Sequence, residues 1–203
     1  MVLKIYHVPG TRAIRVVWLC EELELPYERV PVDFSPEYRA SAEWRRLNPV
    51  GKLPAMTDGD LILFESGAMV ETILDRYGEG RLRPTRGSAA HAHYLQWSWF
   101  AEATFARPLG EMVNHRRVFG DDSSARMLDE MRDRARSCIT AIEDALDGQD
   151  YLVDGEFTAA DIMMGYSIFL AQRVSAMGDG EFPNVTTYFA RLRARPAFVR
   201  TMA

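Results

Sequence analysis

NPVGKLPAMTDGDLILFES, residues 48–66, decides the fold. Two short apolar stretches, 53–57 and 61–64, flank Asp58-Gly59, a strong signal for a hairpin turn between antiparallel strands. Ser66 then opens a helix expected over 66–77 that stops near Gly78. Upstream, residues 2–8 (VLKIYHV) are short and β-prone, and Pro9-Gly10 ends them. From 13 to 25 the period changes: Ala13, Val16, Val17 and Cys20 fall at i, i+3, i+4 and i+7, one apolar stripe of a helix that Pro26 stops. Residues 27–32 read as a second strand, and 36–47 as a weakly patterned helical segment. The order βαβ–α–ββα describes an α/β domain, a small mixed sheet covered by helices.

Residues 78–87 (GEGRLRPTRG) break this pattern with three glycines, a proline and three arginines. The N-terminal domain is therefore expected over 1–80, a linker over 81–87, and a second domain over 88–203. Strand signals disappear after the linker. Residues 88–115 are aromatic-rich and helix-compatible, and Leu128, Met131, Ala135, Cys138, Ile142 and Leu146 recur at three- and four-residue spacing. Phe157-Thr158-Ala159-Ala160-Asp161-Ile162 reads as a helix start, with Thr158 and Asp161 capping each other and Phe157 stapling onto Ile162. That helix is expected to reach about residue 177, with shorter helices over 185–193 and from Pro196 onward. The second domain is all-α.

Composition narrows the function classes. The 203 residues are 47 % hydrophobic and 26 % charged, an ordinary globular balance. A net charge of −5 argues against a nucleic-acid binder. No apolar run approaches the roughly 20 residues a membrane helix needs, and no secretory signal is visible, so a cytoplasmic protein is expected. Two cysteines, Cys20 and Cys138, cannot form a disulfide framework, and both lie on apolar stripes, where a thiol is ordinarily inert core. Phosphate-loop, dinucleotide-binding and hydrolase-elbow patterns are absent. His91 and His93 stand two apart on a helix and cannot share a metal, so no metal is expected.

Residues 48–66 also carry the strongest chemical signal. Pro54 holds Leu53 extended and cannot continue a ladder, which leaves backbone groups of Leu53 for a peptide-like ligand. Ser66, where a helix begins, can take a carboxylate on its N–H and hydroxyl, and Glu65 beside it can hold an ammonium. Together these suit a small zwitterionic peptide. Equally, Ser66 can simply cap its helix while Glu65 is solvated. Among Tyr94, Trp97, Trp99, Phe100 and Phe105, the ordinary reading is domain core, and the other is one wall of an apolar substrate pocket.

With these segments in place, the sequence resembles the glutathione transferase superfamily over essentially its whole length, in its bacterial, theta- or beta-like cytosolic form. The resemblance rests on PGTRAIRVVWLCEELELPYE (9–28), residues 48–66 and FTAADI (157–162) in the right order and spacing. It implies a thioredoxin-like N-terminal domain, a cis peptide bond at Pro54 and glutathione as substrate, without a metal. It implies that the Leu53 backbone pairs with the cysteinyl unit, that Glu65 and Ser66 hold the γ-glutamyl end, and that Lys52 lies by the glycyl carboxylate. Thr11 stands where many members place an activating serine, and Arg12 where beta-like members place a cysteine. Tyr6 does not match the tyrosine of the tyrosine-type classes.

Threonine in place of serine is a mild departure, because its hydroxyl can donate the same hydrogen bond. A free thiol titrates at about 8.5, and each unit of depression corresponds to about 1.4 kcal/mol. The Thr11 hydroxyl and the first helix's N-terminus would both favour the thiolate. The resulting expectation is a transferase whose glutathione thiolate attacks an apolar electrophile or an organic peroxide held near Trp97, Phe100 and Phe105. A homodimer is implied, with Trp18 or the 66–77 helix as candidate contacts. Two other classes stay open: a binding or regulatory module on the same fold, and a glutathione-dependent isomerase or dehalogenase.

Overall fold

A computed structural model describes residues 2–178 and 180–203. They form two compact units, one running through Leu82 and taking in Arg195–Ala203, the other spanning Arg83–Ala194.

The first unit is built on a four-stranded sheet: β1 (Leu3–His7), β2 (Tyr27–Pro31), β3 (Ala55–Asp58) and β4 (Leu61–Phe64), ordered β2-β1-β3-β4. β1 and β2 pair in parallel, which requires a crossover, and α1 (Ala13–Leu23) supplies it. β3 runs antiparallel to both β1 and β4. α2 (Pro36–Ala40) and α3 (Ala42–Leu47) replace the single helical segment expected over 36–47. The break is at Ser41, which turns extended and whose hydroxyl accepts from Trp44 N at 3.1 Å to cap α3. α4 (Ser66–Tyr77) follows β4 with the bounds expected from sequence. β3 starts at Ala55 rather than 53, since Pro54 has no N–H to give a ladder. α1 ends at Leu23, two residues early: Glu24 turns left-handed (φ 55°) and Leu25 N closes onto Cys20 O at 3.0 Å.

The apolar stripe on α1 understates its burial. Every residue from Ala13 to Cys20 is buried, because the sheet, α4 and the C-terminal helix (Pro196–Met202) all pack on α1. That last helix was expected with the all-α domain and instead belongs to the first unit. Trp18 stacks edge-on against Phe198 with ring centroids 4.8 Å apart and donates from Nε1 to Glu22 at 2.8 Å. Glu22 also takes Arg195 Nε at 2.6 Å and Nη2 at 2.8 Å. Glu21 accepts from Tyr27 Oη at 2.6 Å and Arg200 Nε at 2.7 Å. Burial alone would raise Glu21, but donors from Tyr27, Arg200 and Arg29 outweigh it and hold the carboxyl below its ordinary value. Trp18 thus serves intramolecular packing, and with no exposed surface it cannot be the dimer contact the sequence suggested.

The second unit is helical: α5 (Ala89–Trp99), a π-helical turn (Phe100–Phe105), α6 (Ala106–Phe119), α7 (Ala125–Ala145), α8 (Ala159–Arg173) and α9 (Pro183–Arg193). α8 is buried along almost its whole length and forms the centre of this core. Its start has the expected capping box between Thr158 and Asp161. It stops at Arg173, four residues short of expectation, because Ser175 turns left-handed (φ 57°) and Ala176 N closes onto Ala171 O at 2.9 Å. The π turn widens the backbone between α5 and α6, and Ser167 of α8 donates to its Ala101 carbonyl at 2.9 Å. Among the described residues no helix is long and apolar enough to cross a membrane.

Candidate functional site

One rung of the sheet organises the candidate site. Ala55 is paired with Tyr6 on one side and Phe64 on the other. The chain just after β1 (Val8 to Arg12), the residues just before β3 (Lys52, Leu53, Pro54) and those just after β4 (Glu65, Ser66) therefore leave the sheet at the same end. Residues far apart in sequence are brought to one corner of the first unit by register alone.

The loop before β3 is tightly held. Asn48 is buried; its Nδ2 donates to Pro54 O at 3.2 Å and its Oδ1 accepts from Val50 N at 3.1 Å. Gly51 has φ +65°, and a Cβ there would lie 2.7 Å from the Arg39 carbonyl and 3.0 Å from the Arg45 guanidinium carbon. Neither the conformation nor the space admits a side chain. The loop delivers a half-buried Leu53 into a cis bond to Pro54. Among the described residues, neither the N–H nor the C=O of Leu53 has a backbone partner. Lys52 beside it is exposed.

At the start of α4, Glu65 has φ 77° and ψ 109°, a region a non-glycine residue occupies at about 1–3 kcal/mol of strain. This turn leaves the Glu65 carboxylate exposed while Ser66, first residue of the helix, drops into the interior at 3 % exposure. The leading N–H groups of α4 have no intrahelical acceptor and carry the positive end of its dipole. Ser66 Oγ accepts from Arg15 Nη1 at 3.2 Å, and Arg15 is wholly buried in the first turn of α1. That bond ties the helix after β1 to the helix after β4. Arg15 was missed by the motif reading, although one signal was available: a cation in the middle of the run AIRVVWLC.

Thr11 is half-buried at the entrance to α1, after Gly10 with φ 77°. Its Oγ1 donates to Val8 O at 2.7 Å and accepts from Ala13 N at 3.4 Å. The hydroxyl is thus seated at the helix N-terminus, with its proton turned to the backbone.

In the second unit Trp97 and Phe100 remain partly exposed and meet edge-on at 5.3 Å between centroids. Phe105 has no exposed surface, so it fits the core reading rather than a pocket wall. Cys20 and Cys138 are free and buried, and burial pushes both thiols up, away from the reactive thiolate. Among the described residues no group of three or more His, Cys, Asp or Glu could hold a metal ion.

Comparison with known proteins gives the same picture at family level. Residues 1–75 match the family described as "Glutathione S-transferase, N-terminal domain", and residues 102–196 match "Glutathione S-transferase, C-terminal domain". The chain is 30 % identical to glutathione S-transferase 3 of Zea mays, over 99 % of its own length and 93 % of that protein's. Its fold is similar to a glutathione transferase from Phanerochaete chrysosporium solved with oxidized glutathione, at TM-score 0.89 and 26 % identity, covering 98 % of this chain and 92 % of that one. A glutathione transferase family member from Pseudomonas fluorescens pf-5, solved with two glutathione bound, is similar at TM-score 0.89 and 27 % identity, covering 99 % and 92 %.

Proposed function

Because the chain belongs to the glutathione S-transferase family, we propose that it binds glutathione at Leu53, Glu65 and Ser66 and uses Thr11 to hold the glutathione sulfur as a thiolate. The observation that carries this reading is the Tyr6–Ala55–Phe64 rung, which sends those three segments out of the sheet at one end. Leu53 offers an open backbone edge to the cysteinyl unit. Glu65 takes the γ-glutamyl ammonium, while Ser66 and the α4 N-terminus take its carboxylate. Lys52 serves the glycyl carboxylate.

Thr11 acts by turning its hydroxyl from the Val8 carbonyl to the sulfur, where the α1 N-terminus also favours negative charge. The thiolate's electron pair then forms a C–S bond with an apolar electrophile, whose leaving group departs with its bonding pair. An organic peroxide is the other substrate class. With a hydroperoxide, attack on the hydroxyl oxygen breaks the O–O bond to leave glutathione sulfenic acid and an alkoxide that takes up a proton. A second glutathione then displaces water from the sulfenic sulfur to give the disulfide. Trp97 and Phe100 are the aromatic candidates for contact with the electrophile, and a cytoplasmic homodimer acting in detoxification completes the proposal. One observation favours a second reading, a binding module without chemistry: the Thr11 proton is already engaged by Val8 O at 2.7 Å.

Ser66→Ala tests the binding assignment. It is expected to weaken glutathione binding about tenfold or more, the worth of one hydrogen bond to a charged group. The thiol-blocked S-methylglutathione should weaken by the same factor, because the lost contact lies at the γ-glutamyl end. Unchanged titration curves for both peptides would remove Ser66 from the site.

A further inference from the structure

Arg15 places a permanently charged guanidinium in the interior of the first unit. Its Nη1 donates to the oxygen of Ser66, a side chain itself 3 % exposed. A guanidinium has only donors, so the serine cannot return its own proton to Arg15 and must direct it elsewhere. Among the described residues nothing receives that proton. Ser66 also opens α4, so its hydroxyl proton and the positive helix end together favour an anion at this helix start.

We propose that Arg15 is a positioning residue for the γ-glutamyl α-carboxylate of glutathione. It acts through Ser66 by donating to its oxygen and so fixing that hydroxyl as a donor. This rests on the reading that Glu65 and Ser66 hold the γ-glutamyl end. Recognition of this carboxylate then depends on α1 as well as α4, although Arg15 itself is shielded from solvent.

The test compares glutathione with 4-aminobutanoyl-cysteinylglycine, which lacks only the α-carboxylate, by binding titration on the wild type, Arg15→Met and Arg15→Lys. The wild type should prefer glutathione. Arg15→Met replaces a buried charge with an apolar chain of similar length and should reduce glutathione affinity about tenfold while leaving the analogue's affinity unchanged. Arg15→Lys keeps the charge but loses the planar fork, and its preference should fall between the two. If Arg15→Met does not fold, the Lys variant carries the test, and a preference equal to the wild type's overturns the inference. Equal losses for both peptides in either variant also overturn it, since a purely structural role predicts them. A wild type that binds the two peptides alike overturns the placement of the carboxylate at Ser66; a preference present in the wild type and retained in Arg15→Met overturns the role of Arg15 alone.

Discussion

Replacing Asp161 with alanine is expected to destabilise the protein by about 4 kcal/mol. The carboxylate is wholly buried and accepts four hydrogen bonds: Thr158 N at 2.7 Å, Tyr188 Oη at 2.8 Å, Thr158 Oγ1 at 3.1 Å and Leu152 N at 3.2 Å. Burial pushes its pKa up, against the opposing pull of donors from Thr158, Leu152 and Tyr188. Alanine removes the cap of α8, worth about 1 kcal/mol, and strands the Tyr188 hydroxyl and the Leu152 amide at about 1–3 kcal/mol each. In thermal unfolding the midpoint should fall by roughly 10 °C. Asp161→Asn retains one acceptor oxygen and should lose less. A loss below about 1 kcal/mol for Asp161→Ala would mean that the cost of burying the carboxylate cancels its hydrogen bonds.

Thr11→Ala is expected to lower kcat for conjugation of an activated aryl chloride about tenfold and to leave the KM for glutathione nearly unchanged. A hydrogen bond to an anion is worth about 1.5–3 kcal/mol, and turning away from Val8 O costs about 1 kcal/mol, which leaves about 1.4 kcal/mol for the thiolate. At saturating glutathione, the lower pH limb of kcat/KM for the aryl chloride should move up by about one unit, because more of the bound thiol then stays protonated. Thr11→Ser, which keeps the hydroxyl, should restore both rate and profile. Equal activity of Thr11→Ala and wild type across the pH range would assign the activation to the α1 N-terminus alone.

Element type and order were legible because the signals were local. The Asp58-Gly59 turn, the 66–77 helix and the Thr158/Asp161 box each lie within a few residues, and each stands in the structure where its residues placed it. What escaped the sequence depends on distant partners. The C-terminal helix joined the first unit because Glu21 and Glu22 on α1 receive Arg200 and Arg195, more than 170 residues away. The unbroken burial from Ala13 to Cys20 needs that docking as well as the sheet and α4, and no stripe on α1 could show it. Of the candidate site, Leu53, Glu65 and Ser66 were legible as a motif, and the pairing of Ala55 with Tyr6 and Phe64 explains why they converge. Arg15 escaped because its role lies in a contact with Ser66, 51 positions along the chain.

The most direct test of thiolate stabilisation is an ultraviolet difference titration of glutathione bound to the wild-type protein, following thiolate absorbance from mildly acidic to alkaline pH. A saturable complex whose thiol titrates about one unit or more below the free value of about 8.5 is the predicted result. Saturable binding with an unshifted thiol would contradict it, leaving a glutathione holder whose Thr11 proton stays on the Val8 carbonyl.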